Sequence, residues 1–353
     1  MTDTAINNAA ARRLPGADRA AVYDEHARTV APPVNELDLI TPPSWDRFAA
    51  PTDLLADAGG WVPPAPAEEP AEWGTRQRII RTLSLGLVKP APGQEELAHR
   101  ANVRTIRQAV WPRSVRIVVA SPKGGVGKTP TSILLGGVLA QIRGGSVGIW
   151  DSADAANTLA ARSEGTAARC ISDIAAHPDD YTLPATVAMA AATQTSSADV
   201  FGSLQEREFD AGHIQSITEV LDRCYRISIA DTGNVPHSPA FEAIIAHADT
   251  LVIPTVVTAD SVNKALSLLR RLQETDLAAH AVVAVTRYGG PETPGLAKQL
   301  PTLFGNAGVG AIVDLPFDSH IAQGTQLTLG ALSHPSKVAW TRLAATVVSN
   351  TTT

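Results

Sequence analysis

Cysteine is nearly absent. Cys170 and Cys224 are the only two in 353 residues, and no CxxC pair occurs. That excludes a disulfide framework and a cysteine-built zinc site, and it fits a reducing, cytoplasmic setting. Cys224 reads as an inert packed thiol. No apolar run reaches about 18 residues, so no membrane-spanning helix is expected. The first residues hold acids and arginines but no apolar h-region, so no signal peptide is visible. Basic charge is not in excess: the net charge is −6 and the sequence pI about 5.8. A surface coated for DNA or membrane is thereby excluded, although a local basic patch is not.

What is present divides into three stretches. Residues 1–72 carry the proline pairs Pro32-Pro33, Pro42-Pro43 and Pro63-Pro64 among alanines and acids. Such a composition does not bury enough apolar surface to offset ordering entropy, so a disordered arm is expected. Trp45, Phe48, Leu54, Leu55 and Trp61 are scattered through it, either as docking motifs for a protein partner or as points where the arm folds back. Residues 73–113 are basic, with Arg76, Arg78, Arg81, Lys89, Arg100, Arg104, Arg107 and Arg113. The spacing predicts helices over 75–85 and 94–109, broken at Lys89-Pro-Ala-Pro-Gly93. A basic amphipathic helix binds a membrane surface, nucleic acid or a partner, or packs on its neighbour and leaves its arginines in solvent. Glu96 to Arg107 has some look of a helix-turn-helix reader, but Val103 to Thr105 is too short for the turn and a recognition helix.

Residues 114–353 alternate strand and helix patterns, which predicts a doubly wound, mostly parallel α/β sheet. Val115 to Ala120 is a β-branched run that reads as a buried strand. Lys123-Gly-Gly-Val-Gly-Lys-Thr129 follows, and an apolar helix pattern begins at Thr131. Strand, glycine-rich loop and helix together form the context of a phosphate-binding loop. Gly124, Gly125 and Gly127 permit close backbone approach, and successive N–H groups around Val126 make an anion nest at a helix N-terminus. Lys128 reaches the β- and γ-phosphates and Thr129 offers its hydroxyl to Mg²⁺. Pro130 sits in the first helical turn, where a missing N–H is harmless.

The general motif requires glycine where Pro122 stands, and Lys123 adds a lysine before the glycines. This arrangement resembles the deviant Walker A loop of the ParA/MinD ATPases. The resemblance implies a SIMIBI-type P-loop fold over about 115–348, ATP and Mg²⁺ as ligands, and an ATP-bound homodimer in which Lys123 contacts the partner's nucleotide. Ser146 to Trp150 is the next strand and ends at Asp151. The family carries Asp-x-Asp here, the first acid helping to place Mg²⁺ and the second orienting the attacking water. Asp151 matches the first. Ala153 stands at the second, and Asp154 comes one residue late. Asp151 to Leu159 also resembles the corresponding loop of actinobacterial MinD-like proteins, some of which accompany secretion systems.

Tyr225 to Asp231 is a further strand, and Asp231 is the expected Walker B acid beside Mg²⁺. Where relatives often place an adenine-reading Asn, Thr286 and Arg287 stand. Pro316 and Asp318 lie in the loop that brackets the base in the family. Arg270 and Arg271 either join a DNA-facing surface or form a solvated helix face. His177-Pro-Asp-Asp180 reads as a turn, not a metal site. The functional expectation is an ATP-hydrolysing, dimerising switch. It would serve either the partition or positioning of DNA or a protein complex, using non-specific DNA as its matrix, or a secretion or conjugation machine with little hydrolysis. Its partners would engage residues 1–113, and its place would be the cytoplasm, in association with the nucleoid or a membrane complex.

Overall fold

The computed structural model describes residues 71, 73, 91–153, 158–203, 208–233, 238–273 and 275–351. Of the arm read over 1–72 all but Ala71 lies outside the described residues, as does the helix read over 75–85.

Eight strands form one sheet: β1 (Val115–Val119), β2 (Val147–Asp151), β3 (Ala192–Thr193), β4 (Asp199–Phe201), β5 (Ile227–Asp231), β6 (Thr250–Thr255), β7 (Val282–Val285) and β8 (Ala311–Asp314). Their order is β3-β4-β2-β5-β1-β6-β7-β8. Every pairing is parallel except the edge pair β3–β4. The inner strands are buried almost throughout, with Arg116 half-buried, as their largely apolar sequences require.

Helices cover both faces. They are α1 (Gln94–Gln108), α2 (Lys128–Arg143), α3 (Leu159–Arg162), α4 (Ile171–Ala176), α5 (Pro184–Ala188), α6 (Ala211–Cys224), α7 (Pro239–Ala246), α8 (Ala259–Arg271), α9 (Leu300–Asn306), α10 (Ser319–Ala322) and α11 (His334–Ser349). One core layer joins Ile214, Ile244, Leu268 and Phe304 to the sheet. The other joins Leu134, Leu139, Leu343 and Ile106. Helix α2 lies deepest, because α1 and α11 pack over it. Gly136 lets it settle on the sheet: a Cβ there would stand 2.5 Å from Ile149 Cδ1. Gly144, left-handed at φ 79°, closes the helix by donating to Ala140 O, a left-handed C-terminal cap.

The expected helix over 94–109 is present as α1, and it packs on α2. Arg143 donates to Ile106 O at 2.7 Å and Ala109 O at 2.9 Å, which ties the two helices together. Glu96 is buried and pairs with Arg100 at 2.6 Å. Arg104 and Arg107 remain on the exposed side. Among the described residues, no helix is long and apolar enough to cross a membrane.

Candidate nucleotide-binding site

In an open parallel sheet, ligands bind beyond the carboxyl ends of the strands. Here β1, β2 and β5 end side by side. Val119 pairs with Asp231, and Asp231 pairs with Asp151. Two carboxylates therefore stand on adjacent strand ends, and both are fully buried.

The loop from Ser121 to Gly127 wraps in front of them. Gly125 and Gly127 have φ of 73° and 90°, a conformation costly for any side chain. Among the described residues, the N–H groups of Gly124, Gly125, Val126 and Gly127 have no hydrogen-bond partner. Ser121 Oγ is likewise buried without one. Lys128 begins α2 and is buried, with Nζ 3.2 Å from Ser121 O and 3.3 Å from Lys123 O. Burial pushes its ammonium below the ordinary lysine range, opposed by the charge of Asp231. A buried cation beside a concave row of amides fits a polyanion.

Thr129 Oγ1 donates to Asp231 Oδ2 at 2.7 Å and accepts from Thr158 Oγ1 at 3.1 Å. Asp151 Oδ1 accepts from the Ala153 N–H at 3.1 Å. These donors are all oxygen, which suits a hard cation. Mg²⁺ sites of this kind use one or two carboxylates and complete the shell with phosphate and water. No cluster of three or more His, Cys, Asp or Glu side chains capable of holding a metal occurs among the described residues. Pro130 is buried in the first turn of α2.

Ser132 is the residue that motif reading missed. Its hydroxyl lies 2.9 Å from Asp231 Oδ1 and 3.2 Å from Lys128 O. The signal was its spacing, three residues after Thr129, which puts both hydroxyls on one helix face. Asp231 is thus clasped at both oxygens by α2.

The second acid position of the loop after β2 carries Ala153. Ala153 is buried, and a Cβ on Gly233 would lie 3.3 Å from Ala153 Cβ. Residues 153 and 233, just past the ends of β2 and β5, thus lie against each other. Asp154, the alternative hydrolytic acid, lies outside the described residues.

The base-side candidates are engaged in structure. Thr286 Oγ1 donates to Val126 O at 2.9 Å, bracing the phosphate loop from the end of β7. Arg287 pairs with Glu292 and, at 3.1 Å, with Asp314. Asp318 caps α10 through the His320 N–H at 3.0 Å and accepts from Ser333 N at 3.0 Å and Ser333 Oγ at 2.9 Å. Its carboxylate joins α10 to α11. Pro316 is half-buried in the same loop. The expectation of side-chain base contacts from Thr286, Arg287 and Asp318 thus meets three groups that already have protein partners.

Lys123, expected to reach a partner's nucleotide, makes an ion pair within its own chain. Its ammonium lies 2.8 Å from Asp260 Oδ2 in its own chain, at the start of α8, and Lys264 lies 3.4 Å from the other oxygen. Arg271, read with Arg270 as either a DNA-facing surface or a solvated helix face, pairs with Glu242.

Comparison with known proteins agrees with this geometry. Residues 117–324 match the CobQ/CobB/MinD/ParA nucleotide binding domain family. A ParA family ATPase from Chlorobium tepidum has the same fold, with a TM-score of 0.56 at 17% identity, over 65% of this chain and 98% of that one. MinD in the MinC:MinD complex of Aquifex aeolicus gives 0.50 at 18% identity, over 65% and 95%. At such identities the likeness is one of fold. In sequence, the ESX-1 secretion-associated protein EspI of Mycobacterium tuberculosis is 29% identical over 270 residues, or 74% of this chain. The match spans only 39% of the length of EspI. With the phosphate loop on β1 and its two strand-end acids in register, the chain belongs to the CobQ/CobB/MinD/ParA nucleotide-binding family.

Proposed function

We propose that the chain is a Mg²⁺-dependent ATP-binding and hydrolysing switch that dimerises on ATP and regulates a protein machine of the secretion class. The observation that carries the reading is the convergence of Lys128, Thr129 and Asp231 behind a row of unpaired amides. Lys128 and the amides of Gly124 to Thr129 hold the phosphates. Thr129, Asp151 and Asp231 hold the metal, directly or through water. Mg²⁺ supplies positive charge to the phosphoryl group in transfer. Lys123 leaves Asp260 and adds its charge to the nucleotide of a second copy, where negative charge develops in the transition state. Ala153 supplies no carboxylate for the attacking water, so turnover is slow and the ATP-bound form long-lived.

The likeness to a secretion-associated relative favours a secretion machine over DNA partition. Turnover measured with and without DNA, with particle mass in ATP and in ADP, tests the reading. The expected result is slow hydrolysis indifferent to DNA and a doubled mass in ATP alone. Stimulation by DNA with a steep salt slope would instead support partition. Lys128→Ala is expected to abolish ATP binding, and an unchanged ATP affinity would overturn the site.

A further inference from the structure

Tyr288 stands in the loop after β7, two residues past Thr286. Its ring packs against the core layer that holds α2. Its hydroxyl lies over the last glycine of the phosphate loop: a Cβ on Gly127 would overlap Tyr288 Oη and stand 2.5 Å from its Cζ. Burial pushes the phenol up to about 12, while the charge of Arg162 and a hydrogen bond with Thr286 oppose the rise. The hydroxyl is therefore neutral at neutral pH. Arg162 is itself held across to α10, with Nε 3.1 Å from Thr325 O and a terminal nitrogen 3.0 Å from Ile321 O. Behind the ring come two glycines. Gly289 takes φ +77°, and a Cβ on Gly290 would meet nothing within 4 Å. Backbone rotation at such a pair meets little steric resistance.

Neighbouring strands lie about 4.8 Å apart, so β7, two places from β1, ends roughly 10 Å from the phosphate loop. A small polyanion that fills only the cradle of amides ends at Gly127. A nucleotide continues from there toward the loops after β7 and β8, and its sugar and first phosphate cross the spot where the Tyr288 hydroxyl stands. We infer that Tyr288 is an autoinhibitory gate, closing the passage beside Gly127 until its ring swings out on Gly289 and Gly290. The inference rests on the nucleotide-binding reading above. The open form is then a minor part of the population, and apparent affinity falls by the fraction that is open. Minor conformers populated at about 0.1–10% make that a loss of about tenfold or more.

The test is the affinity of the full chain for ATP and for inorganic pyrophosphate, measured by calorimetry with Mg²⁺ present. The proteins compared are the unaltered chain, Tyr288→Ala and Tyr288→Phe. Tyr288→Ala should bind ATP about tenfold or more tighter. Its pyrophosphate affinity should stay within about twofold of the unaltered chain. Tyr288→Phe keeps the packing and loses only the hydroxyl with its hydrogen bond, so it should gain about two- to tenfold for ATP alone. That variant decides the matter if the alanine variant does not fold. ATP affinity unchanged or weakened in Tyr288→Phe would overturn the gate, as would an equal gain for both ligands. If all three proteins bind neither ligand, the nucleotide reading itself falls and takes the gate with it. An unaltered chain that binds pyrophosphate but takes up ATP only in the variants would be the gate at its strongest.

Discussion

Asp231 shows how much one carboxylate depends on its surroundings. It is fully buried, and α2 supplies a hydroxyl to each of its oxygens, Thr129 to one and Ser132 to the other. If Thr129 turns its hydroxyl to the metal, Ser132 still fixes the acid. Ser132→Ala removes that hold while filling nearly the same space. A hydrogen bond to a charged group contributes about 1.5–3 kcal/mol. The variant should lose roughly that much stability in urea unfolding without nucleotide, and need several times more Mg²⁺ for half-maximal ATP binding. A variant with wild-type Mg²⁺ dependence would reduce Ser132 to a packing residue. The sequence displayed Lys128, Thr129 and Asp231 openly, because their chemistry fixes their spacing to a loop or a strand end. Ser132 stood at a readable helical spacing, but only the fold shows what faces it.

At the level of elements, the strand ends converge on the loop by contacts remote in sequence. Thr286 and Val126 are 160 positions apart, yet one hydroxyl joins β7 to the phosphate loop. Thr286→Val keeps shape and leaves a buried carbonyl unpaired, which costs about 1–3 kcal/mol. We expect a lower unfolding midpoint in urea and ATP affinity reduced by about tenfold. Wild-type values for both would show the brace to be dispensable. Such cross-links explain where sequence reading stopped. The runs Val115–Val119 and Ile227–Asp231 announced themselves by their many β-branched and apolar residues. The roles assigned by resemblance to Thr286 and Asp318 depended on which groups lie opposite, and those groups are contributed by Val126, His320 and Ser333. The edge strand β3, two residues long and antiparallel, carries too little pattern to be read at all.

For the molecule as a whole, the question is how one copy meets another. Lys123, the residue proposed to cross between copies, is held by Asp260 at 2.8 Å, and both side chains are more than a third exposed. Exposed ion pairs contribute about 0–1 kcal/mol and are screened by salt. Asp260→Ala should therefore shift the ATP-dependent monomer–dimer midpoint toward the dimer by no more than about fivefold. The shift should fade in about 0.5 M salt. Sedimentation in ATP measures both. If Lys123→Ala dimerises as the unaltered chain does, Lys123 has no role across the interface, whatever Asp260 does.

The contact between Ala153 and Gly233 reaches further than its size suggests. Gly233 carries no side chain where a Cβ would stand 3.3 Å from Ala153 Cβ, so any larger residue at 233 would press on the position where a second acid would have to stand. An acid brought to position 153 would thus depend on glycine being kept opposite it.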